Sequence, residues 1–367
     1  MDLIISGAQY SKITAIGEKV KLLEKDTGQS YLYLNQGVNA VVPINLNAII
    51  PLIDFNTKDI QVYPPMQGRP NLRKAINDTY FHSKTNSDNI IITSGGMFGL
   101  DLLFQSLDIE QILLPSFYWG SYFQIATIRK KKVLTYDSFS DLDNLRKDSK
   151  TAVIICDPNN PIGDKQDDGI LLKIIENLDE KEIPIIIDSP YRRLFYGKDD
   201  DFYQKIIKYK SVIINESFSK SVGLSGQRIG FLHTISPSLK NELSIRLMYT
   251  TNGINAFSQV LIEKLLTTEE GKKAITDFER ETTDTIKRNI DFLKKHKLLA
   301  QDFYKDTYPM GIFVIVNKSE EYLLKHRIAA ISLSFFTKDK KEYAEQFSRI
   351  CVSVPHQKLR SYFTPLL

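Results

Sequence analysis

The sequence predicts an α/β protein built around a mostly parallel β-sheet, together with a smaller α+β unit. Short runs rich in isoleucine, valine and leucine alternate with helical patterns through the middle of the chain, an order typical of parallel sheets. Most of these runs are apolar throughout, as expected of strands that helices cover on both faces. After about residue 237 the alternation stops, and helical segments precede two more apolar strands.

The strands and helices are predicted in the order in which the chain presents them. Strands of the main sheet are expected at residues 89–93, 111–115, 132–136, 151–156, 184–188, 211–215 and 229–233. Helices are expected at residues 70–83, 98–107, 170–182, 204–209, 237–250, 255–266 and 271–294. The last helix carries apolar residues at helical spacing, and two later strands are expected at 311–316 and 350–354.

The length of 367 residues favours two domains, at about 150 residues for each. We expect a large α/β domain at residues 41–255. Residues 1–40 and 256–367 are expected to form the smaller domain, and a long helix near 271–294 would link the two. The first forty residues are placed with the smaller domain because the sheet begins later in the chain.

Composition excludes several classes of protein. Hydrophobic residues make up 42% and charged residues 25%, which is an ordinary globular balance. A net charge of +4 does not favour nucleic-acid binding, and two cysteines are too few for a zinc site or a disulfide framework. No apolar run has the length of a membrane span, and the N-terminus does not read as a signal peptide. We therefore expect a cytoplasmic protein with no metal, nucleic-acid or membrane partner.

The segment SFSKSVGLSGQRIG, residues 217–230, is the most informative in the chain. Lys220 follows a buried strand, where partial desolvation would lower the pKa of its amine and make it a nucleophile for Schiff-base formation. Ser217, Ser219 and Arg228 offer hydroxyl donors and a guanidinium fork, which suit a phosphate. The alternative is a surface loop with a solvated lysine.

Two polar turns follow the fourth and fifth strands. Asp188 and Tyr191, in DSPY, lie at the edge where open α/β sheets bind ligands, and this carboxylate could keep a pyridine nitrogen protonated. Asn160 lies in DPNNPIG, where two prolines and a glycine fix a turn that leaves its amide available. A helix N-cap for Asp188 and a plain turn around Asn160 are the alternatives.

Glycines and aromatic residues follow the first two strands. Gly95, Gly96 and Met97 precede a helix, whose first N–H groups could approach a phosphate. Phe117 and Trp119 could stack on a flat heteroaromatic ring, although aromatic clusters more often belong to a core. Taken together, these strand ends match one cofactor, pyridoxal phosphate, which binds through a lysine and an acidic partner for its ring nitrogen.

These motifs resemble those of the class I/II aminotransferases, the fold-type-I pyridoxal-phosphate enzymes, from about Tyr31 to Phe363. SFSKSVGLSGQRIG resembles the family's S-x-S-K…R-x-G signature, DPNNPIG its N-P-x-N-P-T-G turn and DSPY its D-x-x-Y. The stretch YPPMQGRPNLR, residues 63–73, resembles its Y-x-x-x-x-G-x-x-x-L-R pattern. The resemblance implies bound pyridoxal 5′-phosphate and a large domain with a mostly parallel seven-stranded sheet.

The resemblance also implies a role for each matching residue. Lys220 would carry the cofactor as an internal aldimine and then shuttle a proton, and Asp188 would pair with the pyridine nitrogen. Tyr191 and Asn160 would bond the ring's phenolic oxygen. Trp119 would stack on the ring, with Phe117 as the alternative. The phosphate would be held by Gly95, Gly96, Met97, Ser217, Ser219 and Arg228.

Substrate and a second subunit complete the implied site. Arg349 would clamp the substrate α-carboxylate, and Gly37 and Asn160 would also contact the substrate. Tyr63 would reach the phosphate of the neighbouring subunit, which implies a homodimer with shared active sites. Arg246 resembles by spacing an arginine that some aspartate aminotransferases lend across the dimer to a distal carboxylate, but an exposed arginine is the favoured interpretation.

The chain departs from the family pattern at three positions. Asp157 and Ile162 replace an asparagine and a threonine of the turn, and Gly96 stands where alanine or serine is common. Because the first two positions do not donate to the ring in relatives, we expect little effect from them. The length is closer to that of histidinol-phosphate aminotransferases and threonine-phosphate decarboxylases.

The predicted reaction moves the amino group of an L-amino acid to a 2-oxo acid through the Lys220 aldimine and pyridoxamine phosphate. Two alternatives stay open. The same cofactor could serve a C–S β-lyase or an amino-acid decarboxylase, because the sequence does not show which substrate bond is broken. A non-catalytic binding protein that kept the fold is the other alternative, and the completeness of the predicted site disfavours it.

Overall fold

A computed structural model describes residues 1–147, 149–305 and 307–367 of the chain. Its strands, in chain order, are β1 (Leu32–Tyr33), β2 (Ile90–Thr93), β3 (Gln111–Pro115), β4 (Lys132–Tyr136), β5 (Thr151–Ile155), β6 (Ile185–Asp188), β7 (Val212–Ser217), β8 (Gly230–His233), β9 (Phe313–Val316), β10 (Ile328–Ala329), β11 (Ile331–Ser332) and β12 (Ser348–Cys351).

The α-helices alternate with the strands of the central part of the chain and dominate its later part. They are α1 (Lys12–Thr27), α2 (Lys58–Gln61), α3 (Pro70–Tyr80), α4 (Gly96–Ser106), α5 (Gly120–Ile128), α6 (Asp168–Glu180), α7 (Arg192–Tyr196), α8 (Phe202–Ile206), α9 (Phe218–Ser221), α10 (Pro237–Thr250), α11 (Ala256–Thr267), α12 (Glu269–Lys295), α13 (Gln301–Tyr304), α14 (Glu320–Lys325), α15 (Lys341–Ala344) and α16 (His356–Phe363). Within the described ranges, none of these helices combines the length and the hydropathy that a membrane crossing needs.

Seven strands of the described chain form a central sheet in the order β2-β8-β7-β6-β5-β3-β4. Its strands are parallel except for β8, which runs antiparallel to β2 and β7. Strands β2, β5 and β6 are buried along their whole length, as expected of strands inside an α/β sheet. The predicted α/β fold with a mostly parallel seven-stranded sheet is confirmed, and its parallel strands end at one edge.

Two smaller sheets involve the N-terminal and C-terminal parts of the chain. Strands β11, β12 and β9 form an antiparallel sheet, and β1 pairs in parallel with β10. The pairing of Leu32 with Ile328 attaches the N-terminal segment to the C-terminal region. The division of the chain into domains at residues 41 and 255 stays a prediction.

Most element boundaries lie within three residues of the predicted ones, but one difference moves a site residue. Strand β12 begins at Ser348, whereas the strand was expected to begin at residue 350. Arg349 therefore lies inside the strand, paired with Ile315 on one side and Ile331 on the other. The strand was predicted from a run of apolar residues, and such a run stops at an arginine because charged side chains are seldom fully buried. In the structure, however, Arg349 is buried.

Candidate active site

A cavity of about 230 Å³ lies at the carboxyl edge of the central sheet. Its base consists of residues at or after the ends of β2, β3, β5, β6 and β7, and β9, β12 and the N-terminal segment contribute its roof. All but two of the predicted site residues line this cavity. Those that line it are Gly37, Gly96, Met97, Trp119, Asn160, Asp188, Tyr191, Ser217, Ser219, Lys220, Arg228 and Arg349.

Lys220 lies in the short helix α9, directly after β7. Its Nζ projects into the cavity and donates a hydrogen bond to the carbonyl oxygen of Gly37. Burial lowers the pKa of the Lys220 amine to about 8, because desolvation disfavours the ammonium form. A neutral amine, which can act as a nucleophile or base, is therefore far more accessible here than on a solvated lysine.

Asp188 ends β6 at the base of the cavity, where its side chain is buried. The Tyr122 hydroxyl donates to one carboxylate oxygen, and Nδ2 of Asn215 donates to the other at 2.8 Å. Burial raises the pKa of Asp188 to about 6, although both hydrogen bonds lower it. Asp188 does not cap the next helix, since the N-cap of α7 is Tyr191. A cationic group on a ligand would provide the positive charge that is missing beside this buried carboxylate.

The other end of the cavity presents hydrogen-bond donors. Helix α4 begins here, and the cavity is also lined by Ser217, Ser219 and Arg228. Gly95 caps the helix at φ +82°, and a Cβ atom on it would lie 2.8 Å from Nη2 of Arg228. The positive φ is a backbone conformation that favours glycine at this position. Hydroxyls, a guanidinium group and a helix N-terminus together favour an anion.

Asn160 connects the base of the cavity with its roof. Its Nδ2 donates to the Tyr191 hydroxyl at 3.3 Å, and its Oδ1 accepts from Nη1 of Arg349 at 3.3 Å. All three side chains are buried. The turn around Asn160 is therefore more than a connection between elements, because it directs an amide to a tyrosine and an arginine of the same cavity.

Arg349 is a buried arginine with incomplete hydrogen bonding. Its guanidinium lies 4.0 Å from the centre of the Phe313 ring, and Nη2 donates to the carbonyl oxygen of Asn35. Its Nε has no hydrogen-bond partner among the described residues. Burial lowers the pKa of Arg349 to about 10. A carboxylate in the cavity would supply both the missing acceptor and the opposite charge.

The structure separates the two aromatic candidates for stacking. Trp119 lines the cavity and packs edge-on against Tyr122, with ring centres 5.4 Å apart. Phe117 is buried and packs instead against Phe303, outside the cavity lining. Trp119 is thus the residue that a flat ligand in the cavity could meet, and its stacking role stays a prediction.

Gly95 and Tyr63 are the two predicted site residues outside the cavity lining. Gly95 lies directly behind it, against Arg228. Tyr63 is 79% exposed on the surface and contributes nothing to the cavity of its own chain. Arg246 pairs with Glu242 at 2.7 Å on the surface of α10, so within one chain it contacts no cavity group.

Several residues of the site were not assigned from the sequence. Tyr122 and Asn215 bond Asp188, and Ile13, Cys156 and Phe313 line the cavity. The asparagine at the end of the SVIIN run, a polar residue where an apolar strand ends, was a signal that could have found Asn215. The others gave no such signal, because their contacts join segments far apart in sequence.

The sequence matches the family described as Aminotransferase class I and II over residues 34–363. Aspartate aminotransferase of Pyrococcus horikoshii is 27% identical over 320 residues, which cover 81% of this chain and 80% of that protein. Histidinol-phosphate aminotransferase of Pyrococcus furiosus is 27% identical over 294 residues, 77% of this chain and 76% of that protein.

Solved structures of aminotransferases share the fold. Aspartate aminotransferase from Thermus thermophilus with maleate has a TM-score of 0.84 at 18% identity and covers 100% of this chain and 99% of its own. An aminotransferase from Mycobacterium tuberculosis has a TM-score of 0.83 at 17% identity, with 100% and 98% coverage. At these identities the likeness establishes the fold, which is that of the fold-type-I enzymes.

The fold and the cavity define an α/β enzyme with a partly buried lysine between an acid and an anion-binding end. The chain belongs to the aminotransferase class I and II family. It is an aminotransferase, acting on amino acids and 2-oxo acids, and members of its family depend on pyridoxal 5′-phosphate.

Proposed function

We propose that this aminotransferase holds pyridoxal 5′-phosphate covalently at Nζ of Lys220 and moves the amino group of an L-amino acid to a 2-oxo acid. The observation that carries this proposal is the position of Lys220. Its amine, with a pKa lowered to about 8, lies in a cavity that also contains a buried acid and a cluster of anion-binding donors.

The residues present fit the cofactor at each of its polar groups. Asp188 would hold the ring nitrogen, because a buried carboxylate favours a protonated partner. Asn160 and Tyr191 would bind the ring oxygen, and Trp119 would cover a face of the ring. The phosphate would be bound at the N-terminus of α4 by Gly95, Gly96, Met97, Ser217, Ser219 and Arg228.

When bound, the cofactor supplies an electron sink for the bond that breaks at the substrate α-carbon. Nζ of Lys220 would take the α-proton and return it, since its lowered pKa leaves a useful fraction of neutral amine near neutral pH. Arg349 would orient the substrate by binding the substrate's α-carboxylate. The buried Nε of Arg349, which has no hydrogen-bond partner among the described residues, is available as a donor. At the base of the cavity, Asp188 would hold the ring nitrogen in its protonated form.

The groups left for a substrate side chain are uncharged. Ile13, Gly37 and Phe313 line the roof of the cavity and belong to no part of the proposed cofactor site. Arg246, which by resemblance would reach a distal carboxylate across the dimer, is paired with Glu242 at 2.7 Å in its own chain. These surroundings favour substrates with uncharged side chains over aspartate and glutamate, because burying a carboxylate without a partner costs free energy.

The proposal includes a homodimer in which Tyr63 reaches the phosphate of the neighbouring subunit. The exposure of Tyr63 and of the adjacent Val62, away from the cavity of their own chain, supports this arrangement. Sedimentation should give about twice the chain mass of 42.1 kDa. A Tyr63→Phe variant should bind cofactor more weakly than a Tyr322→Phe control, whereas a monomer with equal cofactor affinity in both variants would contradict the shared site.

A panel of amino acids tests the reaction. With pyruvate or 2-oxoglutarate as the acceptor, leucine, methionine or phenylalanine should each give its 2-oxo acid at higher kcat/KM than aspartate. Formation of pyruvate and ammonia without an acceptor would indicate β-elimination instead, and release of carbon dioxide would indicate decarboxylation. Cofactor binding with no product under any condition would indicate a binding protein.

A further inference from the structure

Behind the cavity lies a group of charged side chains, built around two buried residues, that the proposed function does not use. We name it the Arg192 cluster, and it consists of Asp157, Lys165, Asp168, Arg192 and Asp200. Arg192 is 1% exposed and Asp157 is 2% exposed. None of the five lines the cavity, so none is a candidate for contact with cofactor or substrate.

Arg192 is the centre of the cluster. Its guanidinium makes a bidentate pair with Asp168 at 3.0 and 2.7 Å and a second bidentate pair with Asp200 at 2.6 and 2.7 Å. Nη1 also lies 3.4 Å from Oδ2 of Asp157, and the guanidinium carbon lies 4.2 Å from the centre of the Phe202 ring. Paired charges on both edges and a ring on one face fix the position of this side chain.

The cluster joins the two turns that carry Asn160 and Tyr191. Asp157 opens the turn after β5 in which Asn160 lies, and Arg192 directly follows Tyr191 after β6. Lys165 closes the arrangement, with Nζ 2.9 Å from Asp157 and 2.7 Å from Asp168. On the cavity side the same two turns meet through the 3.3 Å hydrogen bond from Asn160 to Tyr191.

This geometry gives a reason for one departure from the family pattern. An asparagine at position 157 could not form charged pairs with Lys165 and Arg192, whereas the aspartate bonds Lys165 and accepts from the backbone N–H of Gln166 at 2.8 Å. Asp157 was expected to have little effect because its position does not donate to the cofactor ring in relatives, but a residue can also act without touching the ring. Buried ion pairs add little net stability because of their desolvation cost, so a role in fixing geometry is the better explanation.

We propose that the Arg192 cluster is a positioning device that sets Asn160 and Tyr191 relative to each other, and so directs both donors to the ring oxygen of the cofactor. This inference rests on the proposed cofactor site. It makes Arg192 and Asp157 positioning residues, which act on the chemistry only through the two turns. Donors that are well aimed favour the anionic form of the oxygen they bind and lower its pKa.

The test is the pH midpoint of the visible absorption of cofactor-loaded enzyme, measured for Arg192→Lys and Asp157→Asn. Arg192→Lys keeps the charge but loses both bidentate pairs, and should raise the midpoint by about half a unit or more. Asp157→Asn should raise it by less. The control is Arg129→Lys, which breaks a bidentate pair with Asp101 (2.7 Å for each bond) remote from both turns and should leave the midpoint unchanged.

The outcomes separate positioning from stability. Unchanged midpoints in both cluster variants, with only a lower melting temperature, would overturn the inference. If Arg192→Lys does not fold, the midpoint of Asp157→Asn decides. Borohydride trapping of the wild-type enzyme is measured in parallel: a mass adduct on Lys220 with unshifted variants refutes the positioning role alone, whereas the absence of that adduct refutes the proposed function as well.

Discussion

The base and the roof of the cavity are built in different ways. At the base, Asn160, Asp188 and Lys220 lie at or shortly after the ends of the neighbouring strands β5, β6 and β7, and Asp188 accepts hydrogen bonds from two donors. At the roof, Arg349 and Phe313 come from a separate sheet, and Arg349 keeps an Nε without a partner among the described groups. This difference supports the proposed function, in which the base would hold the cofactor and the roof would bind each substrate in turn.

The comparison predicts that substitutions at the base weaken the binding of the cofactor, whereas substitutions at the roof weaken only the binding of the substrate. The largest effect is expected at Asp188. Asp188→Asn removes the negative charge at the cavity base, and kcat/KM should fall roughly a hundredfold to a thousandfold, as for other buried charge pairs.

The cofactor should also dissociate more readily from Asp188→Asn, which spectroscopic titration of apoenzyme with pyridoxal 5′-phosphate measures. Asp201→Asn serves as the control, because Asp201 forms an exposed pair with Lys205 on the surface. Unchanged cofactor affinity and turnover in Asp188→Asn would remove the distinction between base and roof.

A smaller effect is expected at the roof. Arg349→Lys keeps a positive charge but loses the planar fork and its packing on Phe313. The KM for the amino acid should rise roughly thirtyfold to a hundredfold, while cofactor affinity and the visible spectrum stay as in wild type. Steady-state kinetics and cofactor titration together check this, with Arg327→Lys as a control. Loss of cofactor with an unchanged KM would contradict the assignment of Arg349 to the substrate.

The smallest effect is a pH dependence at the base. Only the neutral amine of Lys220 can attack the cofactor aldehyde, and burial lowers its pKa to about 8. Below pH 8 the rate of cofactor attachment to apoenzyme should therefore rise about tenfold per pH unit, and above it the rate should level off. Stopped-flow absorbance measures this rate. A rate still rising tenfold per unit up to pH 10 would indicate a solvated lysine.

The sequence predicted the base of the cavity better than the roof, and the reason is physical. Lys220, Asp188 and Asn160 each lie at the end of a buried strand or within a few residues after it, so a local pattern places them at the same edge of the sheet. Arg349 was found only by resemblance, and its place inside β12 was missed because a buried arginine interrupts the apolar run.

Contacts between distant segments could not be predicted. The hydrogen bond from Tyr122 to Asp188 spans 66 residues, and the packing of Phe313 against Arg349 depends on strand pairing that the sequence does not reveal. The order of the sheet strands belongs to the same category. The aspartate at position 157 was visible in the sequence, but its partner Arg192 becomes evident only when the two turns are brought together.

The most direct test of the account is where the cofactor is attached. Enzyme loaded with pyridoxal 5′-phosphate is reduced with borohydride and digested, and the peptides are analysed by mass spectrometry. We predict a single modified peptide carrying the added mass on Lys220, and no modified peptide in Lys220→Ala. An adduct on another lysine, such as Lys165, or unmodified peptides throughout would contradict the account.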